Sequence, residues 1–190
     1  MGAKQEFIEI FQENVKRPGS EKLLEWLSQS DFFIAPASTK YHSAFEGGLV
    51  QHSLNVYKLL KKRCAEYGIT DGETIAICGL LHDICKANFY TISYRNAKNE
   101  RGQWEKVPYY TVDDQFPFGH GEKSVFVIER FMRLRENEAI AIRWHMGGFD
   151  ENKSYAMSQA YEKYPLAVKL HLADLESTYL REKGTSVVNK

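Results

Sequence analysis

The sequence contains the segment Leu80-Leu81-His82-Asp83-Ile84-Cys85-Lys86, in which two polar side chains of ligand type follow a strongly apolar run. The run from Ile75 to Leu81 is much shorter than the roughly 20 apolar residues that a membrane-spanning helix needs. Its apolar character on all sides predicts instead a buried helix from Glu73 to Lys86. Burying His82 and Asp83 unpaired in such a helix would cost several kcal/mol, a cost that bound cations would offset.

Other histidines and one further aspartate fall on or beside separate predicted helices. The candidate metal ligands are His52, His82, Asp83, His120, His145 and Asp174. Imidazole and carboxylate groups suit Mn, Fe, Co, Ni or Zn, and helical bundles build two-metal sites from several facing helices. The carboxylate of Asp83 has two oxygens and is the natural bridge between two cations. A single His on an apolar face is more often a core residue, so the interpretation depends on the whole set.

The apolar periodicity is mostly helical along the chain. It predicts helices at Lys4–Val15, from Ser20 as N-cap through Leu27, and at Gly48–Tyr67, Glu73–Lys86, Gly121–Leu134, Asn137–Met146, Ser154–Tyr164 and Leu166–Arg181. Aromatic and β-branched residues predict two strands, Phe89–Arg95 and Trp104–Val112. The predicted fold class is therefore mainly α, a helical bundle with a β-hairpin insertion around residues 88–114.

Length and composition favour one globular domain over residues 1–190. Of these residues, 43% are hydrophobic and 26% are charged. We expect an N-terminal helical segment over residues 1–41 and a metal-binding helical core over residues 42–181. Lys+Arg and Asp+Glu balance at 25 each, which argues against a long nucleic-acid track or an anionic membrane as partner. Three cysteines without a CxxC pair predict reduced thiols and a cytoplasmic location, while the oligomeric state stays open.

The ligand order resembles the HD-domain metal-dependent phosphohydrolase superfamily, in the branch with six ligands and two metals. The LLHDICK segment resembles the family's LLHDIGK run, with Cys85 in place of the usual Gly. The segment from His42 to Ser53 resembles the entry segment of HD domains, and the resemblance as a whole covers about His42 to Tyr179, which is most of the chain. It implies that His52, His82, Asp83 and Asp174 hold a first divalent transition metal and that Asp83, His120 and His145 hold a second.

The resemblance also implies a hydrolase that cleaves phosphomonoester or phosphodiester bonds, with a metal-activated hydroxide as nucleophile. Asp83 and Lys86 are the expected catalytic residues. The ammonium of Lys86 would lie near the charge that develops on the phosphoryl group. We expect substrate contacts from His42, Lys86, Arg95 and Lys123. The expected substrate is a phosphorylated small molecule such as a nucleotide, or a short nucleic acid.

Two other functions fit the same residues. A small branch of HD proteins uses six such ligands to hold two irons and to activate dioxygen on small polar substrates. Ligand identity alone does not separate that oxygenase from a hydrolase. A non-catalytic ligand-binding HD module is the third interpretation, although such a module has no chemical reason to keep all six ligands.

Overall fold

The structure, a computed structural model, describes residues 2–150 and 155–182 of the chain. Its helices are α1 (Ala3–Asn14), α2 (Ser20–Gln29), α3 (Gly48–Ala65), α4 (Gly72–Leu81), α5 (His120–Glu129), α6 (Glu136–Arg143), α7 (Tyr155–Lys163) and α8 (Pro165–Glu176), with 3-10 turns at Ile84–Lys86 and Gly147–Phe149 and a π-helical turn at Ser177–Arg181. The strands β1 (Tyr90–Lys98) and β2 (Trp104–Val112) form an antiparallel hairpin between α4 and α5. The prediction of a mainly α fold with a hairpin insertion is confirmed. Within the described residues, no helix combines the length and the apolar character that crossing a bilayer requires.

Helices α3 and α4 form the centre of the core. Helix α4 is buried continuously from Thr74 to Leu81, as its apolar composition predicts. Gly79 lets the two helices approach closely, because a Cβ at this position would lie 2.6 Å from Cα of Tyr57 on α3. Helix α8 packs against α3 and also against α6. This packing brings the parts of the helices that carry the predicted ligands to one place.

The N-terminal helix α1 belongs to the same core, because it packs against α3 and α4. Phe7 contacts Phe32 and Phe33 edge-on, with ring centroids 5.3 Å and 5.4 Å apart. Arg17, which follows α1, pairs with the fully buried Glu138 over 2.7 Å. The division into a segment of residues 1–41 and a core of residues 42–181 stays a prediction.

Helix α4 is shorter than the sequence pattern suggests. It ends at Leu81, so the prediction of one helix over Glu73–Lys86 is wrong at its C-terminal end. His82 is the C-cap of α4, and a separate 3-10 turn follows at Ile84–Lys86. Asp83 therefore lies in a turn between two helical pieces rather than on a helix face.

The turn after α4 is held by a long-range hydrogen bond that the apolar pattern does not reveal. The backbone N–H of Cys85 donates to Oγ of Ser124 on α5 over 3.3 Å, outside any helical ladder. The left-handed residue that ends this region is Asn88, with φ of 55°, and not residue 85. The chain therefore makes the turn without the glycine that the family's run carries.

Other element ends also differ from the prediction. The N-cap of α2 is Gly19 and not Ser20. The φ of Gly19 is 92°, and a Cβ there would collide with the carbonyl oxygen of Phe131, so this position favours glycine. Strand β1 continues past Arg95 to Lys98, which pairs with Trp104 in the register of the hairpin. The predicted helix start at Ser154 lies outside the described residues.

Candidate metal centre

The six predicted metal ligands meet at one point of the structure. They are His52 on α3, His82 at the end of α4, Asp83 in the following turn, His120 at the start of α5, His145 just after α6, and Asp174 on α8. We call them the histidine–aspartate cluster. Nε2 of His52 lies 3.2 Å from Nε2 of His82 and 3.3 Å from Oδ1 of Asp174. Helix packing thus joins side chains that are far apart in the sequence.

The two oxygens of Asp83 face two different pairs of imidazole rings. Oδ2 lies 3.6 Å from Nε2 of His52 and 3.7 Å from Nε2 of His82. Oδ1 lies 2.7 Å from Nε2 of His120 and 3.4 Å from Nε2 of His145. A carboxylate in this position has one oxygen available for each of two neighbouring cations.

Backbone carbonyls orient two of the imidazole rings. Nδ1 of His82 lies 3.0 Å from the carbonyl oxygen of Gly79, and Nδ1 of His145 lies 2.6 Å from that of Ile142. A carbonyl oxygen only accepts hydrogen bonds, so each Nδ1 carries the proton and donates it. With its Nδ1–H donated in this way, a neutral ring presents the lone pair of Nε2 to the cluster, which is the tautomer a metal ligand needs.

The donor set fits divalent transition metals. Nε2 of His145 is buried and has no hydrogen-bond partner among the described residues, which is costly unless a cation uses its lone pair. Suitable ligand atoms of His52, His82 and Asp174 all lie within 4.8 Å of one another, and the same holds for His82, Asp83 and His145. Nitrogen and oxygen donors in such clusters suit Zn, Fe, Mn, Co or Ni.

The protonation of His82 also suits metal binding. Burial lowers the pKa of His82 to about 3, and the neighbouring His145 acts in the same direction, although Asp83 opposes them. The imidazole of His82 is therefore neutral at ordinary pH. Neutral imidazole is the form that binds a metal.

His52 and His120 behave differently, because the side chains that contact each of these rings favour its protonated form. Burial alone would lower the pKa of His52, but hydrogen bonds with Asp174 and Glu182 raise it to about 10. Burial also opposes the charge on His120, but Cys85 and Asp83 raise its pKa to about 10. These two imidazoles hold protons that a divalent cation would displace.

Lys86 contacts the bridging carboxylate directly. Its Nζ donates to Oδ2 of Asp83 over 2.7 Å and to the carbonyl oxygen of Ala37 over 2.8 Å. Burial alone would lower the pKa of Lys86, but Asp83 and Tyr90 raise it well above its usual range. The ammonium of Lys86 in turn helps to hold the pKa of Asp83 well below its usual range, against the effect of burial. Both groups are therefore charged.

His42 lies beside the cluster, in the loop before α3. Its ring centroid is 5.1 Å from that of His52. Both ring nitrogens are buried without a hydrogen-bond partner among the described residues. Burial, with the cations at His52 and Lys86, lowers the pKa of His42 to about 4. A neutral imidazole with one N–H and one lone pair therefore borders the cluster.

A cleft of about 510 Å³ opens onto the His120 side of the cluster, and Lys86, Phe89, Lys123 and Phe149 are among its lining residues. Nζ of Lys123 pairs with Oδ1 of Asp114 over 2.5 Å and lies 5.0 Å from the ring centroid of Phe89. The predicted substrate contact Lys123 thus lies at this cleft.

The structure does not bring Arg95 to the cluster. Arg95 lies on an exposed part of β1, with its guanidinium 5.8 Å from the ring centroid of Tyr109 on β2. It lines a different cavity of about 1010 Å³. Other residues of the hairpin also line this cavity, together with Thr39 and Ala44 from the loop before α3. A role for Arg95 in substrate binding stays a prediction.

The sequence did not reveal which side chains contact Nδ1 of His52 and Nδ1 of His120. Oε1 of Glu182 lies 3.1 Å from Nδ1 of His52, and Sγ of Cys85 lies 3.4 Å from Nδ1 of His120. No motif marks Glu182, because its position depends on the turn after α8. The replacement of glycine by Cys85 is visible in the sequence, but its contact with His120 depends on how α4 ends.

The loop after His145 is fixed by His171 on α8. Nδ1 of His171 donates to the carbonyl oxygen of His145 over 2.6 Å, since a carbonyl only accepts. Gly147 makes room for this ring, because a Cβ there would lie 2.5 Å from it. His171 thus supports His145 through the backbone.

Comparison with known proteins agrees with this geometry. Residues 49–178 match the HD domain family. The chain is also 32% identical over 84 residues to the dihydroneopterin 2',3'-cyclic phosphate phosphodiesterase of Methanocaldococcus jannaschii, a match that covers 42% of this chain and 31% of that protein. No solved structure matches the chain. Both matches support the prediction of a metal-dependent hydrolase. The family match covers most of the sequence, and the chain therefore belongs to the HD-domain family.

Proposed function

We propose that this protein is a metal-dependent phosphohydrolase that cleaves a phosphomonoester or phosphodiester bond at the histidine–aspartate cluster. The observation that carries the proposal is the position of Asp83, whose two oxygens face separate groups of imidazoles at 2.7 to 3.7 Å. Membership of the HD-domain family and the similarity to a phosphodiesterase support the same reaction class.

The residues of the histidine–aspartate cluster would hold two divalent cations. His52, His82, Asp83 and Asp174 would hold one divalent cation, and Asp83, His120 and His145 a second. When bound, such cations lower the pKa of coordinated water and neutralise charge on phosphoryl oxygens. The carbonyls of Gly79 and Ile142 keep the rings of His82 and His145 oriented, so that their lone pairs need no rearrangement.

Lys86 would stabilise negative charge on the reacting phosphoryl group. Asp83 and burial keep the ammonium in place at one edge of the cluster, 2.7 Å from Oδ2. An oriented ammonium in a site that excludes most water stabilises developing charge more strongly than it would in bulk water. Lys86 would therefore be a catalytic side chain that acts on the substrate without binding a metal.

His42 and Lys123 would contact the substrate beside the cluster. His42 is neutral and its ring nitrogens have no protein partner among the described residues, so an N–H is available for a phosphoryl or leaving-group oxygen. Lys123 lies in the cleft and would exchange part of its contact with Asp114 for a substrate anion. Arg95 would contact only a substrate long enough to reach the hairpin.

The size of the cleft favours a phosphorylated small molecule. About 510 Å³ is within the usual range of roughly 300–1,000 Å³ for small-molecule sites. The rings of Phe89 and Phe149 line it and would pack against a base or another flat group. The phosphodiesterase relative is named for a cyclic phosphate of a small molecule, which supports this substrate class over a long nucleic acid.

The test is a hydrolysis screen with Mn²⁺, Fe²⁺, Co²⁺, Ni²⁺ or Zn²⁺ under nitrogen. The substrates are p-nitrophenyl phosphate, bis-p-nitrophenyl phosphate, nucleoside 2',3'-cyclic phosphates and short oligonucleotides. We expect metal-dependent turnover that Asp83→Asn abolishes. Absence of hydrolysis with every metal, or turnover that survives Asp83→Asn, would overturn the proposal.

The same preparations separate the other two functions. Oxygen uptake by the iron-loaded protein with a small polar substrate, without phosphate release, would favour a diiron oxygenase. Ligand binding that persists in His82→Ala, with no turnover in any variant, would favour a binding module.

A further inference from the structure

Glu182 is held in one orientation by several side chains around it. Its Oε1 accepts hydrogen bonds from Nδ2 of Asn55 at 3.0 Å and from Oγ of Ser177 at 2.5 Å. Its Oε2 accepts one from Oγ of Ser43 at 2.8 Å. The carboxylate is buried, and its two oxygens lie 3.1 Å and 3.2 Å from Nδ1 of His52. It is therefore fixed against the back of this ring.

A change in helix geometry places Glu182 in this position. The α-helical part of α8 ends at Glu176, and the π-helical turn Ser177–Arg181 follows. The N–H of Glu182 donates to the carbonyl oxygen of Ser177 over 3.0 Å, five residues back. Because this hydrogen bond spans five residues instead of the four of an α-helix, it places Glu182 over Ser177. Ser177 lies three residues after Asp174, on the same face of the helix. π-Helical turns often occur at functional sites.

The segment before α3 also contributes to this arrangement. Ser43, whose hydroxyl group contacts Glu182, has φ of 42°, a left-handed conformation that is costly for a residue other than glycine. Ser43 and Glu182 both lie outside residues 49–178, the part of the chain that matches the HD domain family. Two segments that flank the family match therefore meet behind His52.

His52 differs from the two histidines held by the backbone. The carbonyls of Gly79 and Ile142 orient His82 and His145 from within their own helical turns, three residues earlier. A carboxylate is a stronger acceptor than a carbonyl, and it raises the basicity of the ring that donates to it. A ring with Nδ1–H donated to Glu182 presents Nε2 towards His82, Asp83 and Asp174.

We infer that Glu182 is a positioning residue for His52, which fixes the ring and its Nδ1–H tautomer so that Nε2 binds the first metal. This role rests on the proposed metal centre. Glu182 itself contacts neither substrate nor reacting atoms in this assignment. It acts through His52, as outer carboxylates act through ligand histidines in metal sites.

Titration of the chelator-treated protein with Co²⁺, read by visible absorption and by competition with a chromophoric chelator, tests this role. We expect Glu182→Gln to weaken one Co²⁺ equivalent by about 10- to 100-fold, the usual effect of losing an outer partner of a metal ligand. Glu182→Ala should weaken it further, because the amide of glutamine keeps a hydrogen-bond acceptor. The matched control is Glu176→Gln, which removes a carboxylate that pairs with Arg63 and Arg181 and contacts no ligand.

Ring-nitrogen NMR of His52 gives a second readout that a merely structural role would not move. In the Zn²⁺-loaded protein, we expect His52 of the wild type to carry its proton on Nδ1 alone, with Nε2 bound to the metal, and we expect a mixture of ring states in Glu182→Ala. Should the Glu182 variants not fold, Asn55→Ala and Ser177→Ala each remove one hydrogen bond to the carboxylate and should weaken Co²⁺ binding in the same direction but less.

The outcomes distinguish this role from the metal centre itself. Unchanged Co²⁺ affinity and an unchanged His52 tautomer in the Glu182 variants, or in Asn55→Ala and Ser177→Ala if only those fold, would overturn the positioning role. Failure of the wild type to bind Co²⁺ would instead overturn the metal centre on which it rests. An equal loss of affinity in Glu176→Gln would attribute the effect to the helix end and would also count against Glu182.

Discussion

Lys86 donates a hydrogen bond from Nζ to Oδ2 of Asp83 over 2.7 Å. The ammonium group proposed to act on the substrate is therefore held by the carboxylate proposed to bind both metals. This pairing keeps Lys86 charged although it is largely buried. It also means that a metal at Oδ2 and the ammonium share one oxygen.

Lys86→Met is expected to separate catalysis from metal binding. Loss of the ammonium should lower kcat by about 10²-fold, because charge that develops on the phosphoryl group loses its partner. Co²⁺ affinity should not fall, since Asp83 loses a competitor for Oδ2. Steady-state kinetics and Co²⁺ titration check this, with the exposed Lys62→Met as control. A kcat within twofold of the wild type would contradict the role of Lys86.

The stability of the protein in a chelator should fall as pH rises from neutral. The pKa values of His52 and His120 are raised from 6.5 to about 10, so the folded chain binds these protons more tightly than the unfolded chain does. Their contribution is fully present below pH 6.5 and is lost as pH rises towards 10. Urea unfolding across this window measures the decline, which should be smaller in His52→Gln. A free energy of unfolding that increases over the window would refute this assignment.

Metal affinity should follow the opposite trend. A cation at the cluster must displace the protons of His52 and His120, so affinity should rise with pH over the same window. Calorimetric titration with Zn²⁺ near pH 7, in buffers of different ionisation enthalpy, should detect protons released on binding. Binding without proton release would show that these imidazoles are already neutral.

Cys85 offers a way to alter the proposed second metal site. Its sulfur lies 3.4 Å from Nδ1 of His120, so it is the outer partner of that ring. Cys85→Gly, the residue of the family's run, should weaken one Co²⁺ equivalent by about 10-fold. Cys85→Ser keeps an acceptor at this position and should retain most of the affinity. Equal affinities in both variants would mean that the sulfur does not support His120.

Gly79→Ala should destabilise the fold through the contact between α3 and α4. A Cβ at position 79 would lie 2.6 Å from Cα of Tyr57, and relieving such overpacking costs about 1–3 kcal/mol. The matched control is Gly148→Ala, where nothing lies within 4 Å of the added atom. That control should change the free energy of unfolding by less than about 0.5 kcal/mol. Chemical denaturation measures both, and equal effects would contradict the packing argument.

The sequence was sufficient to predict the family, the fold class and the six side chains that meet in the cluster. Those predictions rested on the order of His and Asp residues along the chain, with the His82-Asp83 pair after a strongly apolar run and the other candidates on or beside separate predicted helices. They did not require atomic detail. The end of α4 at Leu81 was not predictable in the same way, because it depends on a hydrogen bond from Cys85 to Ser124, a residue 39 positions away.

The contacts that surround the proposed ligands could not be predicted from the sequence either. Glu182 reaches His52 only because a π-helical turn follows α8, and no composition or periodicity marks such a turn. Arg95 illustrates the converse case. Its place in a hairpin inserted between two ligands suggested proximity to the cluster, but the strands extend away as an exposed ribbon and the side chain packs on Tyr109 instead.

The four imidazoles of the centre therefore differ in how open they are to change by mutation. His82 and His145 are oriented by main-chain oxygens, which every amino acid supplies, so no exchange of a side chain removes that acceptor. His52 and His120 rely on the side chains of Glu182 and Cys85, which a single codon change replaces. Two of these four imidazoles are thus oriented by the backbone, and the other two give protein engineers two positions, 182 and 85, at which to adjust the proposed metal centre while leaving every proposed ligand in place.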